Sequence, residues 1–147
     1  MQTSFKDVVL KFEDFSINHK QINTFDWGEL FNISTKDIQF PYLHLLPLQS
    51  RKVGSLQTQT FEVYVMDLQK QDDTNLLDIM NQMFMIGNDV VSEFEYNADR
   101  FGFEVNETNI SIYPFTGEFD DHTAGWKWVL EITYMQTNNC DIYPKNN

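Results

Sequence analysis

The residues whose types could support chemistry cluster at Glu118, Asp120, Asp121 and His122, which are oxygen and nitrogen donors suited to a divalent cation. Adjacent residues on a strand or tight loop point in different directions, and no second ligand cluster of recognisable spacing accompanies them. Asp120, Asp121 and His122 are therefore read as a solvated or interface loop rather than a metal site. His44 and His19 could pair with carboxylates for acid–base work near neutral pH. His44, however, lies between apolar neighbours in an expected strand, so it reads as a structural histidine with its hydrogen bonds satisfied. Cys140 has no paired motif and follows Asn138 and Asn139, which marks a partly buried bystander rather than a reactive thiolate. The chain contains no Gly-rich phosphate loop, GxSxG elbow, CxxC or HExxH. The sequence thus indicates neither an enzyme nor a cofactor.

Any such residues must be positioned by a fold, and the composition supplies one. At 147 residues the chain suits a single domain (1–147), and thirteen Phe offer large side chains to bury. Each is worth roughly 1.5–3 kcal/mol when buried. Twenty-two acids against ten basic residues give a net charge of -12. This disfavours nucleic acid as a partner, because phosphate binding needs clustered Lys and Arg. One cysteine permits no intrachain disulfide and suits a reducing cytoplasm. Residues 1–20 are interrupted by Lys6, Asp7, Lys11, Glu13 and Asp14, so no signal peptide or membrane span is read there. The sequons at Asn32, Asn106 and Asn109 are read as chance.

Apolar residues Phe5, Val8, Val9, Phe12 and Phe15 recur at helical spacing between Thr3 and His19, with Thr3 available as N-cap. Residues 25–31 read as a short strand or an aromatic-anchored loop. Tyr42 to Leu46, bracketed by Pro41 and Pro47, reads as a strand. The polar, Gln-rich stretch Leu48 to Gln59 reads as a long protruding hairpin loop that carries the adjacent pair Arg51 and Lys52. Thr60 to Leu68 alternates Phe61, Val63 and Val65 with Glu62, Tyr64 and Met66. Asp72, Asp73 and Thr74 supply acids and an N-cap to a helix from Asn75 to Tyr96. Its apolar stripe is Leu76, Met80, Met83, Gly87, Val90 and Phe94, flanked by Leu77, Phe84 and Val91. Met85 falls off that stripe and is the candidate for an exposed contact. Short β-segments follow at Phe101–Val105 and Ile110–Pro114. A strand from Trp126 to Met135 then places Trp126, Trp128, Leu130, Ile132 and Tyr134 on one face. Residues 142–147 read as a tail. The order predicts an α+β fold: a mostly antiparallel sheet with a long central helix and an N-terminal helix on one face.

Four segments, Phe40 to Pro47, Phe61 to Asp67, Phe119 to Trp126 and Asn139 to Ile142, resemble structural proteins of tailed phages. More narrowly, they resemble the neck and tail-completion components of phages of gut bacteria, including the crAss-like group. The likeness spans about residues 40–142 and is much weaker before them. It implies a small α+β virion protein that forms a closed homo-oligomeric ring, six-fold or twelve-fold, between portal and tail proteins. It also implies an inter-subunit or inter-ring role for the 48–59 loop. Arg51 and Lys52 are then expected to meet an acidic neighbour, and Phe25, Trp27, Met85, Asp120, Asp121 and His122 are further candidate interface residues. The role is tail terminator or connector ring at the head–tail junction, assembled in the bacterial cytoplasm. A tail tube or minor tail protein is the first alternative. A small cytoplasmic ligand-binding α+β protein, from a different class, is the second.

Overall fold

Phe5–Asn18 forms α1. Ser4 rather than Thr3 caps it: Ser4 Oγ accepts from the Asp7 N–H at 3.3 Å, and Asp7 accepts from the Ser4 N–H at 2.9 Å. This is a reciprocal capping box. Thr3 is instead buried, and its hydroxyl donates to the Gly102 carbonyl at 3.1 Å. The helix buries Val8, Val9, Phe12 and Ser16. A computed structural model describes residues 3–29, 38–70, 72, 74–97, 102–117 and 122–135 of the chain.

Among the described residues six strands make one sheet: β1 Thr24–Trp27, β2 Tyr42–Val53, β3 Leu56–Leu68, β4 Phe103–Val105, β5 Ser111–Thr116 and β6 Thr123–Met135. The order is β1-β2-β3-β6-β4, with β5 also paired to β6. Among the described residues only the β1–β2 pair is parallel, so the sheet is mostly antiparallel, as the α+β reading expects. The ambiguous 25–31 segment resolves into β1 at its start, while residues 30 and 31 lie outside the described residues, as does the tail at 142–147.

The expected long loop at 48–59 is replaced by strand. β2 and β3 pair down to Val53 opposite Leu56, leaving a two-residue turn in which Gly54 has φ 60°. Positive φ is where glycine carries no steric cost. A register shift between Pro47 and Ser50 bends the hairpin on its way out. The polar sequence concealed the strands because the ladder is a backbone property: β6 runs beside β3 to the tip, with Leu56 opposite Met135. The arm is therefore a stretch of sheet backed by a third strand, not a free loop.

The helix Leu76–Tyr96, α2, starts at Asn75, which makes no side-chain cap. Asn75 Oδ1 accepts from the Lys70 N–H at 2.7 Å instead. The expected caps Asp72 and Thr74 form a turn of their own: the Thr74 hydroxyl and N–H donate to Asp72 at 2.8 and 3.2 Å, which holds that carboxyl below its ordinary pKa. Asp73 lies outside the described residues. The buried stripe is Ile79, Met83, Ile86, Gly87, Val90 and Phe94. Ile79 and Ile86 thus take the place expected for Leu76 and Met80, which are half-buried, and Leu77 is 82% exposed. The helix also makes a close approach that a sequence pattern does not reveal. Gly87 rests on the Trp128 indole, and a Cβ there would overlap the ring.

Both helices pack on one face of the sheet. Val8, Val9 and Phe12 of α1 and the α2 stripe cover Leu43, Leu45, Phe61, Val63, Val65, Trp128, Leu130 and Ile132 in one core. The strand alternation read from the sequence is obeyed. Phe61, Val63 and Val65 face the helices, while Tyr64 and Met66 face the other way and join Tyr42 and Phe115 in a second, smaller cluster.

Candidate interaction surface

Register places Arg51, Val53, Leu56, Thr58, Glu62, Lys127, Glu131, Thr133 and Met135 on the face of the sheet away from the helices. Near β1 that face is closed by the second cluster, against which Ile38, Phe40 and Leu46 pack. Across its middle runs a polar belt. Lys127 Nζ lies 3.1 Å from Glu62 and 5.2 Å from the Tyr113 ring centroid, and the Tyr64 hydroxyl donates to Glu62 at 3.1 Å. Beyond the belt the arm is open. Val53 is 75% exposed, Met135 60% and Leu56 45%, and register makes these three neighbours; Leu48, 53% exposed, lies apart at the bulge beside Pro47. Contiguous exposed aliphatics of this kind mark contact surfaces rather than ordinary surface variation. Arg51 stands 3.9 Å from Glu131, a loose surface pair, and Lys52 has no ion pair among the described residues.

The expected interface residues do not form one patch. Arg51 and Lys52 sit at the arm's tip. His122 sits at the opposite end of the β3–β6 pair, where its carbonyl accepts from the Gln69 N–H at 2.6 Å and its side chain lines a shallow cleft with Leu68, Lys70 and Asp72. Met85 is 57% exposed on the outer side of α2. Trp27 is half exposed and meets Phe5 edge-on at 5.9 Å, whereas Phe25 packs against the main core. Asp120 and Asp121 lie outside the described residues, as do Glu118 and Cys140. Leu48, Val53, Leu56 and Met135 were missed as contact candidates because the arm read as loop. The signal available was Val53-Gly54-Ser55-Leu56, two aliphatics flanking a two-residue turn.

His44 and His19 act as ties. His44 is fully buried, with Nε2 2.7 Å from the Gly28 carbonyl and Nδ1 2.6 Å from the Tyr42 hydroxyl. A carbonyl only accepts, so Nε2 carries the proton and Nδ1 accepts from Tyr42. Burial, with Asp26 nearby, pushes the Tyr42 hydroxyl well above its ordinary pKa, which keeps that donor protonated. This network pins the end of β1 to β2. At His19, the Gln21 N–H donates to Nδ1 at 3.2 Å, so Nε2 donates to Asp89 at 2.9 Å and ties α1 to α2. No group of three or more potential metal ligands occurs among the described residues.

Asp67, opposite Ala124 near the cleft, carries the ionisable group with the clearest consequence for stability. Burial raises its carboxyl pKa, and the bond from the Leu68 N–H at 2.7 Å opposes this more weakly. A raised carboxyl means the folded state holds the proton more tightly than the unfolded chain, so the charged form lowers stability as pH rises through that window. Asp67→Asn is therefore expected to melt higher than the native chain at pH 7, and the two curves should converge below the ordinary carboxyl pKa of about 3.9. A variant less stable at pH 7 would show that the Leu68 bond outweighs burial.

No protein-family model matches the chain, and no curated protein matches its sequence. Among the described residues no helix is long and apolar enough to cross a membrane.

Proposed function

We propose that the protein is a non-enzymatic structural component of a tailed-phage particle, which assembles into a homo-oligomeric ring at the head–tail junction as a tail terminator or connector ring. The observation that carries the assembly part is the arm. Exposed Val53, Leu56 and Met135 gather at the arm's tip in a chain of net charge -12. Like-charged copies associate only where apolar or complementary patches outweigh repulsion, and the arm offers both, since its tip adds Arg51 and Lys52. The phage setting rests on the resemblance of residues 40–142. In that setting the chain's work is mechanical: it joins or seals neck and tail, and its acidic surplus leaves passing DNA ungripped.

The deciding measurement is the solution mass by light scattering, with negative-stain images of the same fraction. A discrete annulus is the expected result. Long tubes would replace this reading with a tail tube. A monomer that also fails to bind portal–tail particles would overturn the virion reading, and a ligand-dependent rise in its melting temperature would favour a small-molecule binder.

A further inference from the structure

The outer side of α2 departs from the composition expected of a solvated helix face. At 100° per residue, Leu77, Asn81, Met85 and Asn88 fall within one arc of about 80°. Leu77 is 82% exposed and Met85 57%. A solvated helix face ordinarily carries charged residues, yet these four are uncharged; the first charge within the arc is Glu95 in the last turn, and Asp78 and Asp89 border the arc on one side. The result is an apolar and amide strip with an acidic margin.

This strip and the arm's tip lie well apart along the sheet. The start of α2 is held near the start of β6, where Trp126 Nε1 donates to the Met80 carbonyl at 2.8 Å, and mid-helix Gly87 rests on Trp128 in the middle of β6. The arm's tip lies at the other end of β6, beside Met135. At a strand rise of roughly 3.3 Å per residue, Trp128 and Met135 are about 23 Å apart. The arm therefore cannot reach its own strip, and only a second copy can join them.

The charges select among the ways two copies could meet. Arm against arm would oppose Arg51 and Lys52 with their own duplicates, and strip against strip would do the same with Asp78 and Asp89. Arm against strip brings opposite charges together and covers apolar surface on both sides. We propose that the tip of one copy docks on the first half of α2 in the next, with Arg51, which shares one face with Val53 and Leu56, meeting the Asp78 and Asp89 margin while Val53 and Leu56 cover Leu77 and Met85 and Lys52, on the hairpin's other face, adds positive charge beside the contact. Asp89 retains acceptor capacity beyond its bond from His19. A contact between two different patches is heterologous, and it propagates head to tail until rotation closes it. This inference rests on the ring reading and specifies its joint.

The test uses the full chain and two double variants, Arg51→Glu with Lys52→Glu on the arm, and Leu77→Gln with Met85→Gln on α2. All four side chains are exposed, so each variant is expected to keep the native melting temperature. By light scattering each variant alone should be monomeric, with self-association weakened at least about tenfold. Their equimolar mixture should stop at a heterodimer, because one intact arm meets one intact strip and no further joint remains. A mixture that stays monomeric, or a folded variant that still assembles as the native chain does, would overturn the joint. In the second case the ring reading survives with its contact elsewhere. A native chain that is monomeric at its highest soluble concentration would overturn the joint and the self-assembly reading together.

Discussion

Gly125→Val is expected to lower stability by about 3 kcal/mol or more, the upper part of the range for overpacking a filled site. Gly125 pairs with Met66, and a Cβ at this position would overlap the backbone carbonyl of Val65. Backbone differs from side chain in what it can yield. At Gly87 the obstacle is the Trp128 indole, which has rotamers. At Gly125 the obstacle is a strand already bonded on both edges, since β3 lies between β2 and β6. Relief requires separating β3 from β6 where Tyr42, Met66 and Phe115 cross the second face in neighbouring strands. A glycine inside a strand commonly marks such a close backbone approach. Thermal unfolding followed by circular dichroism should show a midpoint roughly 10 °C lower, and an unchanged midpoint would mean that the strands separate freely at this point.

Phe12→Ala is expected to cost about 3–5 kcal/mol, the usual range for truncating a buried Phe. Phe12 is fully buried, with its ring 4.5 Å from Phe94 of α2 and 5.9 Å from Phe61 of β3. It touches both helices and the sheet, so the cavity left behind is walled by three elements that cannot all close on it. The neighbouring Leu10 is 44% exposed on the same helix, and Leu10→Ala should change stability by no more than about 0.5 kcal/mol. Equal melting temperatures for the two variants would show that α1 is not integral to the core, and would weaken any inference from its packing.

These two sites show different legibility. Phe12 stands in a run with period near 3.6, and the sequence declares its burial through that spacing. Gly125 declares nothing, since the clash it avoids belongs to a strand sixty residues earlier in the chain. The same division holds for the candidate surface. Met85 was readable as exposed because it falls off the apolar stripe, yet Leu77 was not, because the face α2 turns to the sheet is set by packing against distant strands. Arg51 and Lys52 were visible as a cationic pair in an acidic chain, while the aliphatic tip around them was hidden by reading polar strand as loop.

The sequence by itself determined the α+β class, both helices, the alternation of β3 and β6, and the acidic surplus, because periodicity and charge are local or additive properties of the chain. The tertiary structure alone decided the extension of β2 and β3 to the arm's tip, the rotation of α2 and the separation of arm and strip. Those depend on which distant segments supply backbone partners and how closely they approach, and no window of sequence contains that information.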